Sequence, residues 1–210
     1  MEAMLRALSL AVVLATAAPA SADVLKLFVE ANGGAAAGKA VGGDPVVKDS
    51  AFFARAPHLV YGALVGAEFL FLDGWVQHHQ YTNGDRLTTW TQFGVGVHGT
   101  IDLGDVKQQK AHEGPYVEFA GGGWFGVGTG QQVMPPLDNA QITDKAFLVE
   151  GRLGGGAHLS SVFDLGVIVP VSWGYFFKNG NGAAVNDAST HYRSVQGEAL
   201  VVLRANLRLL

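Results

Sequence analysis

The residues able to do chemistry in this 210-residue chain sit at alternate positions of its apolar segments. Lys26, Glu30, Glu68, His98, Asp102, Glu118, Glu150, Arg152, His158, Asp164, Glu198, Arg204 and Arg208 each hold the parity opposite a row of aliphatic or aromatic residues. Side chains alternate across an extended chain, so these groups all turn away from the apolar side. Acids and bases gathered on one enclosed face predict a network of paired charges, because a buried carboxylate needs a cation or a hydrogen-bond donor. The core of that network is read as Glu68, Glu118, Glu150, Arg152, Asp164, Glu198, Arg204 and Arg208.

Sharper chemistries find less support. His78 and His79 are adjacent, so on a strand they point to opposite faces and cannot share one ion. His158 and Ser160 share a parity and are similar to part of the His and Ser pair of outer-membrane lipid deacylases, but no placed acid or oxyanion donor accompanies them. Asp138, Asn139 and Asp144 offer oxygens without the regular spacing of a calcium loop, and such clusters more often form turns. The runs Gly121 to Gly123, Gly126-Val127-Gly128 and Gly154 to Gly156 lack the Lys-Ser/Thr and helix start of a phosphate loop; they let strands bend and pack closely. The chain has no cysteine, which removes disulfides and thiolate metal sites. No catalytic residue, metal or cofactor is expected.

The elements that must position these groups are strands. In the last, Ala199, Val201, Leu203, Ala205, Leu207 and Leu209 hold one parity and Glu198, Arg204, Asn206 and Arg208 the other, a pattern that helical spacing explains less well. A first strand begins at Leu25, and a Gly/Ala-rich loop is read over 33–57. A second strand spans His58 to Leu72, with Asp73-Gly74 as the hairpin turn signal. Trp75 to Thr82 has polar residues on both faces, so its apolar side is not assigned; Asn83-Gly84 closes the next turn. A fourth strand covers Leu87 to Leu103, a polar connection follows over 104–114, and the fifth strand sets Val117, Phe119, Phe125 and Val127 against Glu118 and Trp124. After a loop over 129–145, the sixth runs from Phe147 to Leu159, Ser160-Ser161 reverses the chain, and the seventh runs from Phe163 to Tyr175. A final loop over 178–191 precedes the eighth strand from Tyr192.

Eight strands let long loops alternate with short turns, with both termini on the short-turn side. Met1 to Ala22 reads as a signal peptide: Arg6 in a short n-region, an apolar stretch Ala7 to Ala18, and Ala20-Ser21-Ala22 before a mature start at Asp23. That apolar stretch is too short to span a bilayer, and no later segment reads as a transmembrane helix. Residues 23–210 are one domain's worth of chain. The charged fraction is only 15% and the 29 glycines are about twice average usage, a poor dress for a water-facing surface. A net charge of -4 gives no reason to expect nucleic acid binding.

With its export signal, alternating strands, aromatics toward the strand ends (Trp90, Phe125, Trp173, Tyr175, Phe177 and Tyr192 at one, Trp75, Tyr116 and Phe163 at the other), long loops and C-terminal amphipathic strand, the chain resembles the eight-stranded outer-membrane β-barrel superfamily of Gram-negative bacteria over residues 23–210. One departure is at the C-terminus, where that family usually has an aromatic on the lipid-facing parity and this sequence has Leu209 and Leu210. The resemblance implies an all-β, antiparallel up-and-down transmembrane barrel in the cell outer membrane. Its partners would be membrane lipids and lipopolysaccharide, the barrel-assembly machinery, and an envelope protein met through the extracellular loops. Since eight strands enclose little more than their own side chains, a plugged barrel with a structural or interaction role is expected. A lipid A-modifying enzyme on the same barrel and a small-solute channel are the alternatives.

Overall fold

Where one parity stays apolar and the other polar, the chain extends and pairs. The computed structural model describes residues 25–43, 58–83, 86–105, 107–108, 112–132, 142–180 and 191–209; the expected signal peptide and its cleavage site lie outside them. Eight strands result: β1 Leu25–Gly43, β2 His58–Phe69, β3 Leu72–Asn83, β4 Arg86–Asp102, β5 Gly114–Gln132, β6 Ile142–His158, β7 Phe163–Gly180 and β8 His191–Arg208. Each pairs antiparallel with the next, and β8 returns to β1, closing the sheet into a barrel. A line of cross-strand partners begun at Phe28 passes Gly66, Trp75, Gly94, Trp124, Leu148, Gly174 and Ser194. It meets β1 again at Ala40 rather than Phe28, so the strands lean steeply across the barrel axis.

The two faces are cleanly sorted. Outward stand Val29, Val65, Val95, Val149, Leu153, Val167 and Val201, all at least half exposed, with Val76 of β3 and Val117 of β5 completing the circuit at 47% and 38%. A water-facing surface does not carry an apolar belt of that extent. Inward stand the buried polar groups together with Phe28, Leu64, Trp75, Trp90, Trp124, Ile168 and Phe176. Inward glycines make the slots for these rings. A Cβ on Gly94 would lie 2.2 Å from the Trp124 ring, and one on Gly126 2.1 Å from the Trp90 ring.

The strand left without a face is resolved by its neighbours. Asp73, Trp75, Gln77, His79 and Tyr81 are buried inside, while Val76 and His78 are exposed outside. Trp75 fits because glycines, Gly66 and Gly94, stand beside it on both adjacent strands. Outward His78 shares a hydrogen bond of 2.8 Å with Thr91 on β4.

Several boundaries depart from expectation. The reversal between β2 and β3 is at Leu70-Phe71, not Asp73-Gly74, with Leu70 taking a φ of 58°. A turn at Asp73-Gly74 would carry Leu72 inward and leave Asp73 at the rim. Turning earlier leaves Leu72 on the apolar wall, 52% exposed, and buries Asp73 opposite Glu68. The expected loops are also shorter than read: Gly33–Gly43 extends β1, pairing with β8 across one irregularity, and Thr129–Gln132 extends β5, pairing with β4. Likewise Ile142–Lys145 belongs to β6, Lys178–Gly180 to β7, and His191 to β8. Pairing uses backbone N–H and C=O groups, so Gly, Ala and Thr join a ladder without any apolar period to announce it.

Both ends of the described chain meet at one rim, where the Leu209 amide donates to the Leu25 carbonyl, beside the turns after β2, β4 and β6. The connections at the opposite rim, 44–57, 84–85, 133–141 and 181–190, lie outside the described residues.

Gly94→Val should cost about 1–3 kcal/mol by overpacking against Trp124. Gly123→Ala should be close to neutral, since nothing lies within 4 Å of the added methyl. Urea midpoints of the refolded protein in detergent would compare them, and equal midpoints would refute the slot geometry.

Candidate functional site: the charged interior

The polar parity of eight leaning strands converges on the barrel axis, and the residues there divide into three levels. In the middle, Arg204 of β8 donates through Nε and Nη2 to Glu30 Oε2 at 3.1 and 2.9 Å. Its Nη1 crosses the lumen to Glu118 Oε2 at 2.8 Å. The guanidinium fork is suited to this, since it offers several donors in fixed directions. His98 lies between two carboxylates, with Nδ1 2.9 Å from Glu68 and Nε2 3.5 Å from Glu118, and Lys26 adds a 2.5 Å contact to Glu68. Asn32 donates to the other Glu30 oxygen at 3.1 Å.

Toward the rim that holds the chain ends, His158 Nδ1 meets Asp164 at 2.6 Å and Nε2 meets Asp102 at 3.1 Å. Tyr116 stacks on the imidazole at 4.4 Å, and Asn206 donates to the second Asp164 oxygen at 2.6 Å. Toward the opposite rim, Arg152 contacts Glu150 at 2.5 Å, donates to Gln77 at 3.0 Å, and lies with its guanidinium 4.3 Å from the Trp75 ring. Tyr81 donates to Glu198 at 2.7 Å, and His79 is fully buried beside them. Above this level the filling is aromatic, with Trp90 and Phe176 at 5.6 Å.

Little room is left. A cavity of about 30 Å³ lies among Lys26, Glu68, Asp73, His98, Arg152 and Arg204. That is space for roughly two waters, and its walls are polar enough to hold them.

The eight network residues read from sequence do not form one cluster. Glu68, Glu118 and Arg204 share the middle level, Asp164 lies below it, and Glu150, Arg152 and Glu198 lie above. Arg208 instead turns to the rim, where its Nη1 donates to the Ser161 carbonyl. Sequence reasoning passed over Asp73, Gln77, His79 and Tyr81, all on β3. The clue was there in the single parity shared by Trp75, Gln77, His79 and Tyr81, but it was masked by polar His78, Gln80 and Thr82 on the other.

The other motifs resolve individually. Both nitrogens of His158 face carboxylates, and Ser160 Oγ accepts the amides of Val162 and Phe163 at 3.2 and 3.1 Å, so each is committed to structure. Asp144 stands in β6 opposite Gly128, while Asp138 and Asn139 lie outside the described residues. Among the described residues, no three His, Asp or Glu side chains gather as a metal site would require.

Removing Arg204 as Arg204→Met would leave Glu30 and Glu118 without their cation, at a cost of about 3–5 kcal/mol. Arg208→Met, at the rim, should cost under about 1 kcal/mol. Denaturant titration in detergent tests this, and a small loss for Arg204→Met would show that the middle level is not a linked network.

No family model matches the sequence, and no curated protein matches it. Among solved structures the chain is similar to Neisserial surface protein A, with a TM-score of 0.53 at 12% identity, over 85% of this chain and 96% of that one. It also aligns with the N-terminal β-barrel domain of Pseudomonas aeruginosa OprF, at a TM-score of 0.44 and 11% identity, over 87% and 97% of the two chains. The chain is a closed, antiparallel, up-and-down eight-stranded β-barrel, a fold it shares with Neisserial surface protein A.

Proposed function

We propose that this protein resides in the bacterial outer membrane as a non-enzymatic barrel with a structural or interaction role, presenting the connections 44–57, 133–141 and 181–190 outside the cell. One observation carries the reading: the wall is apolar all round while the acids and most of the bases of the strands are turned inward. In lipid every backbone polar group must be satisfied within the protein, and a closed sheet does this. The likeness in fold to a protein named for its surface location supports the same placement.

The interior supports a plug over a channel. Arg204, His98 and Arg152 bridge strands across the axis, and the polar cavity beside them has room for roughly two waters. The commitment of His158 to two carboxylates and of Ser160 to its turn weighs against a lipid-modifying hydrolase. A rigid frame for outward loops remains, suited to envelope integrity or to a partner protein. Lipopolysaccharide and lipids would surround it, and the barrel-assembly machinery would insert it.

Fractionation of the native protein should recover it from the outer membrane with an N-terminus at Asp23; a soluble protein retaining Met1 would end this reading. Val201→Arg, on the apolar wall, should cost about 2–4 kcal/mol in a bilayer, whereas Gln92→Arg, inside beside Trp90, should be milder unless it overpacks. In planar bilayers the purified barrel should show no stable conductance. Reproducible solute-selective currents would replace the plug by a channel.

A further inference from the structure

The outward parity carries a second, finer sorting. No acidic residue holds the outward parity of any described strand, and the Lys and Arg residues that do are Lys39, Lys145 and Arg193. All three are exposed, and none has a carboxylate partner among the described residues. They fall on β1, β6 and β8, which with β7 form one unbroken stretch of wall.

The lean of the strands brings them level. The line of partners from Phe28 back to Ala40 climbs twelve residues over eight strand steps, about one and a half residues per step. Arg193 pairs with Gly42 of β1 and with Tyr175 of β7, and Lys145 pairs with Phe177. Corrected for the climb, Lys39, Arg193 and Lys145 stand at one height near the rim opposite the chain ends. With neighbouring strands about 4.8 Å apart and about 3.3 Å per residue, Arg193 lies roughly 8 Å from Lys39 and roughly 12 Å from Lys145 at the backbone. Beneath them the same strands expose Phe147, Trp173 and Val195, at 58%, 45% and 41%.

We infer that this stretch of wall is a binding seat for a phosphorylated, multiply acylated glycolipid of the outer leaflet. Lys39, Arg193 and Lys145 hold its phosphates, and its acyl chains lie on Phe147, Trp173 and Val195. The inference deepens the outer-membrane reading and rests on it. Anionic headgroups attract cations placed at their own depth, and the absence of outward acids leaves that attraction unopposed. Three cations spread over roughly 20 Å suit a double-headed lipid with two separated phosphates better than a glycerolipid with one.

Native mass spectrometry of the folded full chain in detergent tests this, with bisphosphorylated lipid A, its monophosphorylated form and phosphatidylglycerol as probes. Bisphosphorylated lipid A should be retained best, and millimolar inorganic phosphate should not displace it. The triple variant Lys39→Gln, Lys145→Gln, Arg193→Gln should lose retention by roughly a hundredfold, while the matching change of both lysines to Arg should keep it. Equal retention of the three lipids by the native protein would overturn the inference, as would equal retention by the triple variant or displacement by phosphate alone. Heat-dependent migration on SDS gels shows that each variant is folded, and outer-membrane fractionation is scored separately. A barrel that fractionates correctly but shows no lipid preference therefore defeats the seat and leaves the outer-membrane reading standing.

Discussion

A sheet with an apolar outer face must satisfy all its backbone amides and carbonyls within itself, and here that depends on β8 finding β1. The two strands pair from Lys26 and Arg208 at one rim to Gly43 and Tyr192 at the other, across a single irregularity between Ala40 and Gly42. In a bilayer, an open seam would leave two bare edges with no donors or acceptors to meet them. Everything else follows from closure: it fixes which parity is enclosed, and the enclosed parity must then be both filled and neutralised.

Filling and neutralising are done by different residues. Rings seated against glycines fill the bore, as with Trp124 over Gly94 and Trp90 over Gly126 and Gly128. Cations with several donors balance the acids, as with Arg204 between Glu30 and Glu118. The two meet at Arg152, which is ion-paired to Glu150 and stacked over Trp75. A buried charge that also packs as a flat surface wastes no space in so narrow an interior.

Most of this was legible where side chains alternate sharply. β8, with Leu203 and Leu207 against Arg204 and Arg208, declared its faces at once, and so did β4 and β7. The alternating pattern failed in three physical circumstances. Small residues such as Gly33 to Ala37 carry no contrast although they pair fully. Outward polar residues of β3, among them His78 with its Thr91 partner, blurred the contrast from the other side. And the pairing across the lumen, such as Glu118 to Arg204, is decided by strand lean, which no single strand records.

The lean also sets how far the protein reaches. β5 has nineteen residues, and at about 3.3 Å each and a tilt near 45° it rises roughly 44 Å, well above the ~25 Å apolar band that such barrels present to lipid. In an outer membrane the surplus emerges as a hydrogen-bonded collar, with β5 paired to β4 as far as Gln132 and to β6 as far as Gly130. A partner arriving from outside would then meet a preformed wall before any loop, and docking there would cost little ordering entropy.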